Sequence, residues 1–255
     1  MNYQLLGISL LLLAVPLYLL HIYKVRLLPR ALRAILKMFI YLAVTGLCVK
    51  AVFAYSHWAT TTLWILLMIC LGASLSVSKG RLSQQRFFLP VLAGIVVAVG
   101  AVGAMTLLAL KSLYAPFDLR CLVPVVGILT GTIIETNGRA LSTYYAGLAH
   151  HNQLYYYMLG NGATHGQALE HFVHRALERA ALPCISNMAL QVVGVTPLVL
   201  WGMLLAGTDI LTAFYVQILL LAAMFCTSVV SVVVTLLVAR RFAFDACLRL
   251  KQNKQ

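Results

Sequence analysis

The sequence predicts an all-α, polytopic membrane protein of about seven transmembrane helices, and three observations predict it. Of the 255 residues, 62% are hydrophobic and only 10% are charged, against roughly half and a quarter in ordinary soluble domains. Seven apolar runs are each long enough to cross a hydrocarbon core of about 30 Å, which takes about 17–25 helical residues. Lys and Arg, 19 in all, sit almost entirely in alternate gaps between those runs, as expected where cytoplasmic loops are enriched in cations. No polar stretch is long enough to fold as a second domain, the longest running from about His150 to Arg179. Residues 1–255 are therefore expected to form a single transmembrane domain.

The first run, Tyr3 to Leu20, has no basic residue before it and is followed by Lys24, Arg26, Arg30, Arg33 and Lys37. That charge order is the reverse of a secretory signal, so the run is expected to stay as a span with its N-terminus outside. The second, third and fourth runs extend from Met38 to Ala54, Trp58 to Ser78 and Phe87 to Leu110. Gly94, Gly100 and Gly103 in the fourth suit close helix packing. A fifth run, Leu122 to Leu148, contains Glu135, Asn137 and Arg139, and the last, Ile210 to Ala239, would reach about 45 Å as a straight helix. Both are expected to extend into the cytoplasm. Between them lies the sixth, Pro183 to Gly207.

Alternation from an outside N-terminus places every Lys and Arg on the cytoplasmic side except Lys111 and Arg120, which fall outside, and Lys50, which lies within a run. The bias predicts N-out and C-in. The net charge of +13 is thus dispersed among loops rather than gathered on one water-facing element, which argues against a nucleic-acid partner. The six cysteines show no CxxC pair and read as small apolar residues. Six carboxylates in total, with no HExxH and no GxSxG, offer no converging catalytic set. No GxxxxGK[ST] phosphate loop occurs, and GNGATHG at Gly160 to Gly166 lacks the lysine and the hydroxyl that follow, so it reads as a helix break.

The one sizeable stretch that must fold in water is residues 151–182, between the fifth and sixth runs. Thr164 with Gln167 fits a capping box. Beyond it, Leu169, Phe172, Val173, Ala176, Leu177 and Ala180 recur at helical spacing, with Glu170, His171, His174, Arg175 and Glu178 opposite. The helix is expected to end at Pro183, where the next span begins. Such an amphipathic helix either lies in the membrane interface or docks into a partner's groove, and the pattern alone does not choose.

Leu122 to Phe244 resembles the FetB-type iron-export permease family of bacteria, ABC permeases with plant relatives linked to aluminium tolerance. The resemblance rests on Pro124, Gly127 and Gly131 in PVVGILTG, the loop GATHGQA from Gly162 to Ala168, and RALERAALPCISNM from Arg175 to Met188. Pro197, Gly202 and LLAG follow, then Asp209, Ala213, Gln217 and Ile218 in TDILTAFYVQI. Thr132 stands where the family usually has Asn, and Val216 where it usually has Tyr.

This likeness implies a bacterial inner-membrane permease subunit that moves iron-like metal ions or a metal-linked solute out of the cytoplasm. It implies a homodimer paired with a cytoplasmic ABC ATPase that carries ATP and Mg, no enzyme activity in this chain, and no cofactor or metal site of its own. Gly162, Ala163, Thr164, Gln167, His171, Arg175 and Arg179 would then contact the ATPase.

An ionisable or strongly polar group inside a span costs enough to ask for a reason. Glu135 either pairs with Arg139 one turn on or lines the path. Asn137, Asn187, Gln191 and Gln217 either bond between helices or guide a polar substrate. Glu135, Asn137, Arg139, Asn187, Gln191 and Gln217 are the candidate translocation residues. The alternative is a self-sufficient secondary transporter or channel in which Glu135 couples an ion. Five histidines, His150, His151, His165, His171 and His174, cluster near the loop without a convincing third ligand for a metal.

Overall fold

A computed structural model describes residues 2–23, 27–55, 58–112, 118–189 and 198–243. All regular structure among them is helical, and no strand occurs. The chain divides into two units, Met1–His57 and Trp58–Gln255. Among the described residues five helices are long and apolar enough to cross a membrane, which with the composition makes this a multi-pass membrane protein.

The first unit holds α1 (Asn2–Ile22) and α2 (Leu28–Tyr55). The second helix begins ten residues before the apolar run expected at Met38, because Arg30, Arg33 and Lys37 recur at helical spacing beside Leu32 and Leu36 and continue one amphipathic cylinder. Arg33 Nε donates to the Pro29 carbonyl at 3.1 Å within its first turn.

The second unit contains α3 (Trp58–Lys79), α4 (Gln84–Ala109), which closes in a short 3-10 turn, α5 (Leu119–His150), α6 (Asn152–Gly160), α7 (His165–Ala189), α8 (Leu198–Leu205) and α9 (Ile210–Ala243). Its core lies between α4 and α9 on one side and between α3, α5 and α7 on the other. Val91, Ile95 and Ala98 of α4, Leu129, Ile133 and Leu141 of α5, and Val232 and Leu236 of α9 are fully or almost fully buried in it. Large apolar residues such as Leu63, Leu67, Leu89, Met105 and Leu211 remain exposed on the outer faces, as suits helices whose solvent is lipid.

Two glycines do work a larger residue could not. A Cβ on Gly94 would abut the Thr235 hydroxyl and come within 2.8 Å of the Ser231 carbonyl, so only glycine lets α4 and α9 pack at this depth. Gly162, at φ +85°, takes the left-handed conformation that turns the chain between α6 and α7.

The structure corrects the expected end of the amphipathic helix. α7 does not stop at Pro183 but runs through it for six further residues. Proline removes the amide that would bond the Arg179 carbonyl, a defect that costs about 3 kcal/mol in a helix interior. Packing carries the helix past it: Phe172, Ala176 and Ala180 are buried before the proline, and Cys184 reaches Ser228 of α9 at 3.8 Å just after it. The sixth apolar run therefore supplies the last turns of α7 and then α8, with residues 190–197 outside the described segments.

Candidate functional site

The polar features converge along the groove where α7 runs back beside α5. Phe172 lies against Gly147, and Asn187 shares a pocket with Thr132 and Glu135, so the two helices are antiparallel. Two cavities follow one another along this seam. The larger, about 580 Å³, lies at the end marked by Lys79, His150 and Arg175. The smaller, about 330 Å³, is lined by Thr132, Glu135, Cys184 and Asn187 and lies deeper along α5. Arg139 and Pro183 belong to the walls of both.

Glu135 sits where the two meet. Its Oε1 accepts from Lys79 Nζ of α3 at 2.9 Å, and its Oε2 lies 3.5 Å from Arg139, one turn along α5. The expected Glu135–Arg139 pair is present, and Lys79, distant in sequence, makes it a three-membered cluster that ties α3 to α5. All three side chains are about half exposed, so the cluster is worth little as a stability device. Its consequence is to position charge at the seam.

The other candidate path residues separate. Glu135, Arg139 and Asn187 meet in the smaller cavity. Asn137 is fully buried on the opposite face of α5, where Nδ2 donates to Ser231 Oγ at 2.9 Å and Thr235 Oγ1 at 3.4 Å. Gln217 is buried between α8 and α9 and accepts the Leu200 amide at 3.2 Å. Both of these groups join helices. Gln191 lies outside the described residues. The smaller cavity also takes in Thr132, which the sequence marks only as a departure from the family pattern, and Cys184, which the sequence shows only as part of the matching RALERAALPCISNM piece. The spacing of Thr132, one turn before Glu135, points to the same wall.

At the other end of α7 the capping box forms. The Thr164 amide donates to Gln167 Oε1 at 2.9 Å and the Gln167 amide to Thr164 Oγ1 at 3.4 Å, satisfying two donors that a helix start leaves free. Leu169, Phe172, Ala176 and Ala180 are buried against the bundle, and Glu170, His171, His174 and Glu178 are exposed. His174 Nδ1 lies 3.6 Å from Glu178. Arg175 and Arg179 are exposed too, but they turn onto the wall of the larger cavity. Gly162 and Ala163 form the turn before the cap.

The histidines disperse. His150 and His151 line the larger cavity, and the His165 ring packs edge-on to Tyr155. Among the described residues no group of three His, Cys, Asp or Glu side chains is placed to hold a metal ion.

His165 fixes α7 to α6: its Nδ1 lies 3.0 Å from the hydroxyl of the buried Tyr155, which donates when the ring is neutral. Burial, aided by the nearby Arg240 cation, holds the His165 pKa below its ordinary value. The unfolded chain then binds more protons than the folded one between that depressed value and about 6.5. Stability from this contact is complete above about pH 6.5 and is lost as pH falls through the folded pKa. Thermal unfolding of the purified protein is expected to show a lower midpoint at pH 5 than at pH 7.5, with the difference reduced in His165→Gln. An unchanged difference in that variant would remove His165 as its source.

The comparisons with known proteins cover nearly the whole chain. A model of the uncharacterised protein family UPF0014 matches residues 3–244. The "Probable iron export permease protein FetB" of Escherichia coli (strain K12) is 22% identical over 229 residues, 90% of this chain and 87% of that protein. No solved structure matches.

Proposed function

The chain belongs to the UPF0014 family, and on that premise we propose that it is the permease subunit of an ABC-type exporter, driven by a separate cytoplasmic ATPase. The observation that carries this reading is α7. One end is a capped, amphipathic helix start outside the apolar segments; the other, in the same unbroken helix, brings Asn187 beside Glu135 and Thr132 at mid-bundle. A force applied to the exposed end would move the wall of the inner cavity directly.

The remaining parts of the proposal follow from charge and likeness. Cations dominate the end of the bundle that carries Lys79, Arg81, Arg175 and Arg179, which supports a cytoplasmic placement of that end. Alternation of the apolar runs in sequence would then put the N-terminus outside. Seven crossings result if α1 spans and if α7 and α8 together make the sixth. Two copies would pair, each with one ATPase bearing ATP and Mg. The cargo would be an iron-like metal ion or a metal-linked solute, from the similarity to the iron-export permease of Escherichia coli. In a self-sufficient transporter Glu135 would need to exchange its coupling ion freely, whereas here it is held by two cations at once.

Adding acidic charge to the outward face of α7 tests the reading. His171→Glu with His174→Glu leaves the buried face and both cavities intact. It is expected to abolish co-purification of the ATPase and to cut ATP-dependent export more than tenfold, with membrane insertion unchanged. Export by the purified chain alone in liposomes, or full export by the double variant, would defeat the proposal.

A further inference from the structure

The larger cavity has a chemical character that cation export does not require. Lys79 from α3, Arg139 from α5, and Arg175 and Arg179 from α7 all reach its wall, with Ser142 and His150 beside them and no Asp or Glu in the lining. Cations that serve only to orient the protein can spread around the end of a bundle, as Arg81 does at the foot of α3. These four come from three helices onto one cavity.

Their pairing is incomplete. Glu135 is already engaged by Lys79 and Arg139. Arg175 and Arg179 stand one turn apart on α7, a like-charge spacing that disfavours the helix, and among the described residues no carboxylate pairs with either. Glu178, the acidic residue between them in sequence, turns away toward His174. Two neighbouring guanidiniums with free donor edges match the oxygens of a phosphate group, which arginine binds through paired, charge-assisted hydrogen bonds.

The field points the same way. Four cations less Glu135 leave a net charge of about three at the cavity, and at about 8 Å in water this enriches a dianion on the order of a hundredfold. Screening at physiological salt leaves roughly tenfold. A bare divalent cation entering here would be depleted by the same factor. The cavity, about 580 Å³, falls in the range that holds a small organic ligand.

We propose that this cavity is a binding site for a phosphate-bearing anion, with Arg175 and Arg179 gripping the phosphate oxygens and Lys79 and Arg139 supplying the surrounding charge. The phosphate has two sources at such a location: the headgroup of an anionic phospholipid, or a soluble phosphoanion. The site rests on the cavity alone and stands or falls independently of the export reading.

Direct binding to the purified full chain is the test. Pyrophosphate is titrated calorimetrically into protein in neutral detergent. In parallel, native mass spectrometry follows retention of phosphatidylglycerol against phosphatidylcholine from mixed nanodiscs. Pyrophosphate binding weakened at least tenfold in the Arg175→Gln, Arg179→Gln double variant, but not in Arg81→Gln, establishes a soluble ligand. Selective retention of phosphatidylglycerol, lost in the same double variant, establishes a headgroup. Absence of both, or binding that the double variant leaves unchanged, overturns the proposal. Should the double variant fail to fold, Arg179→Gln alone is read by the same two measurements.

Discussion

Gly94→Val is expected to prevent stable folding of the second unit, whereas Gly100→Ala, six residues along the same helix, is expected to be neutral. The two glycines look alike in sequence, both inside one apolar helix. In the structure a Cβ on Gly94 meets the Thr235 hydroxyl and, at 2.8 Å, the Ser231 carbonyl, while one on Gly100 meets nothing within 4 Å. Backbone cannot rotate away as a flexible side chain can, so α9 must shift. Such overpacking costs about 1–3 kcal/mol for modest insertions, and valine adds two methyls beyond the clashing Cβ. The shift would also pull Ser231 and Thr235 from Asn137, whose amide they accept at 2.9 and 3.4 Å, stranding a buried donor. Size-exclusion profiles and thermal midpoints of the two variants in detergent check this. A monodisperse Gly94→Val protein with an unchanged midpoint would show that the α4–α9 contact is not close-packed.

Much of the fold could be read in advance because lipid leaves the backbone few options. Trp58 to Ser78 became α3, ending at Lys79, and Phe87 to Leu110 became α4 with one extra turn at its start. Hydropathy located these runs well because each is bounded by charge or by turn residues. It failed where a helix changes environment along its length. The first turns of α2 are too basic to register as a span, yet the helix does not notice the boundary. Pro183 reads as a stop in the sequence because proline breaks an isolated helix; in the structure the buried alanines before it and Ser228 beside Cys184 just after it decide the outcome.

The site was legible only along single helices. Glu135 and Arg139 are one turn apart, so their pairing followed from spacing. Polarity alone groups Asn137 with them, although two residues along an α-helix is a rotation of about 200°. That arithmetic alone would have placed Asn137 on the opposite face, where it is found. Lys79 carried no such signal: it precedes Glu135 by 56 residues and reaches it only because α3 packs on α5. The same holds for the basic cavity, whose four cations come from three helices. Charge counting assigned them a side of the membrane but could not assign them a common wall.

Inserting one alanine after Ala181 is expected to abolish export while leaving insertion and ATPase docking intact. The reason lies in the continuity of α7. An extra residue rotates everything beyond it by about 100° and advances it by about 1.5 Å. The capped start at Thr164 and the buried face through Ala180 would keep their places. Cys184 would lose Ser228, and Asn187 would leave the cavity it shares with Thr132 and Glu135. The same insertion after Gly162, in the turn before the cap, disturbs the docking end but shifts no part of α7 against α5, and is expected to retain more export than the insertion after Ala181. Under the export proposal, cells carrying the first variant should accumulate iron like cells lacking the chain, with the ATPase still co-purifying. The second should accumulate less iron than the first. If insertion after Ala181 were tolerated as well as insertion after Gly162, motion would not pass along α7 as a rigid body. The exposed helix start and the inner cavity would then have to be linked through α5, by way of contacts such as that of Gly147 with Phe172.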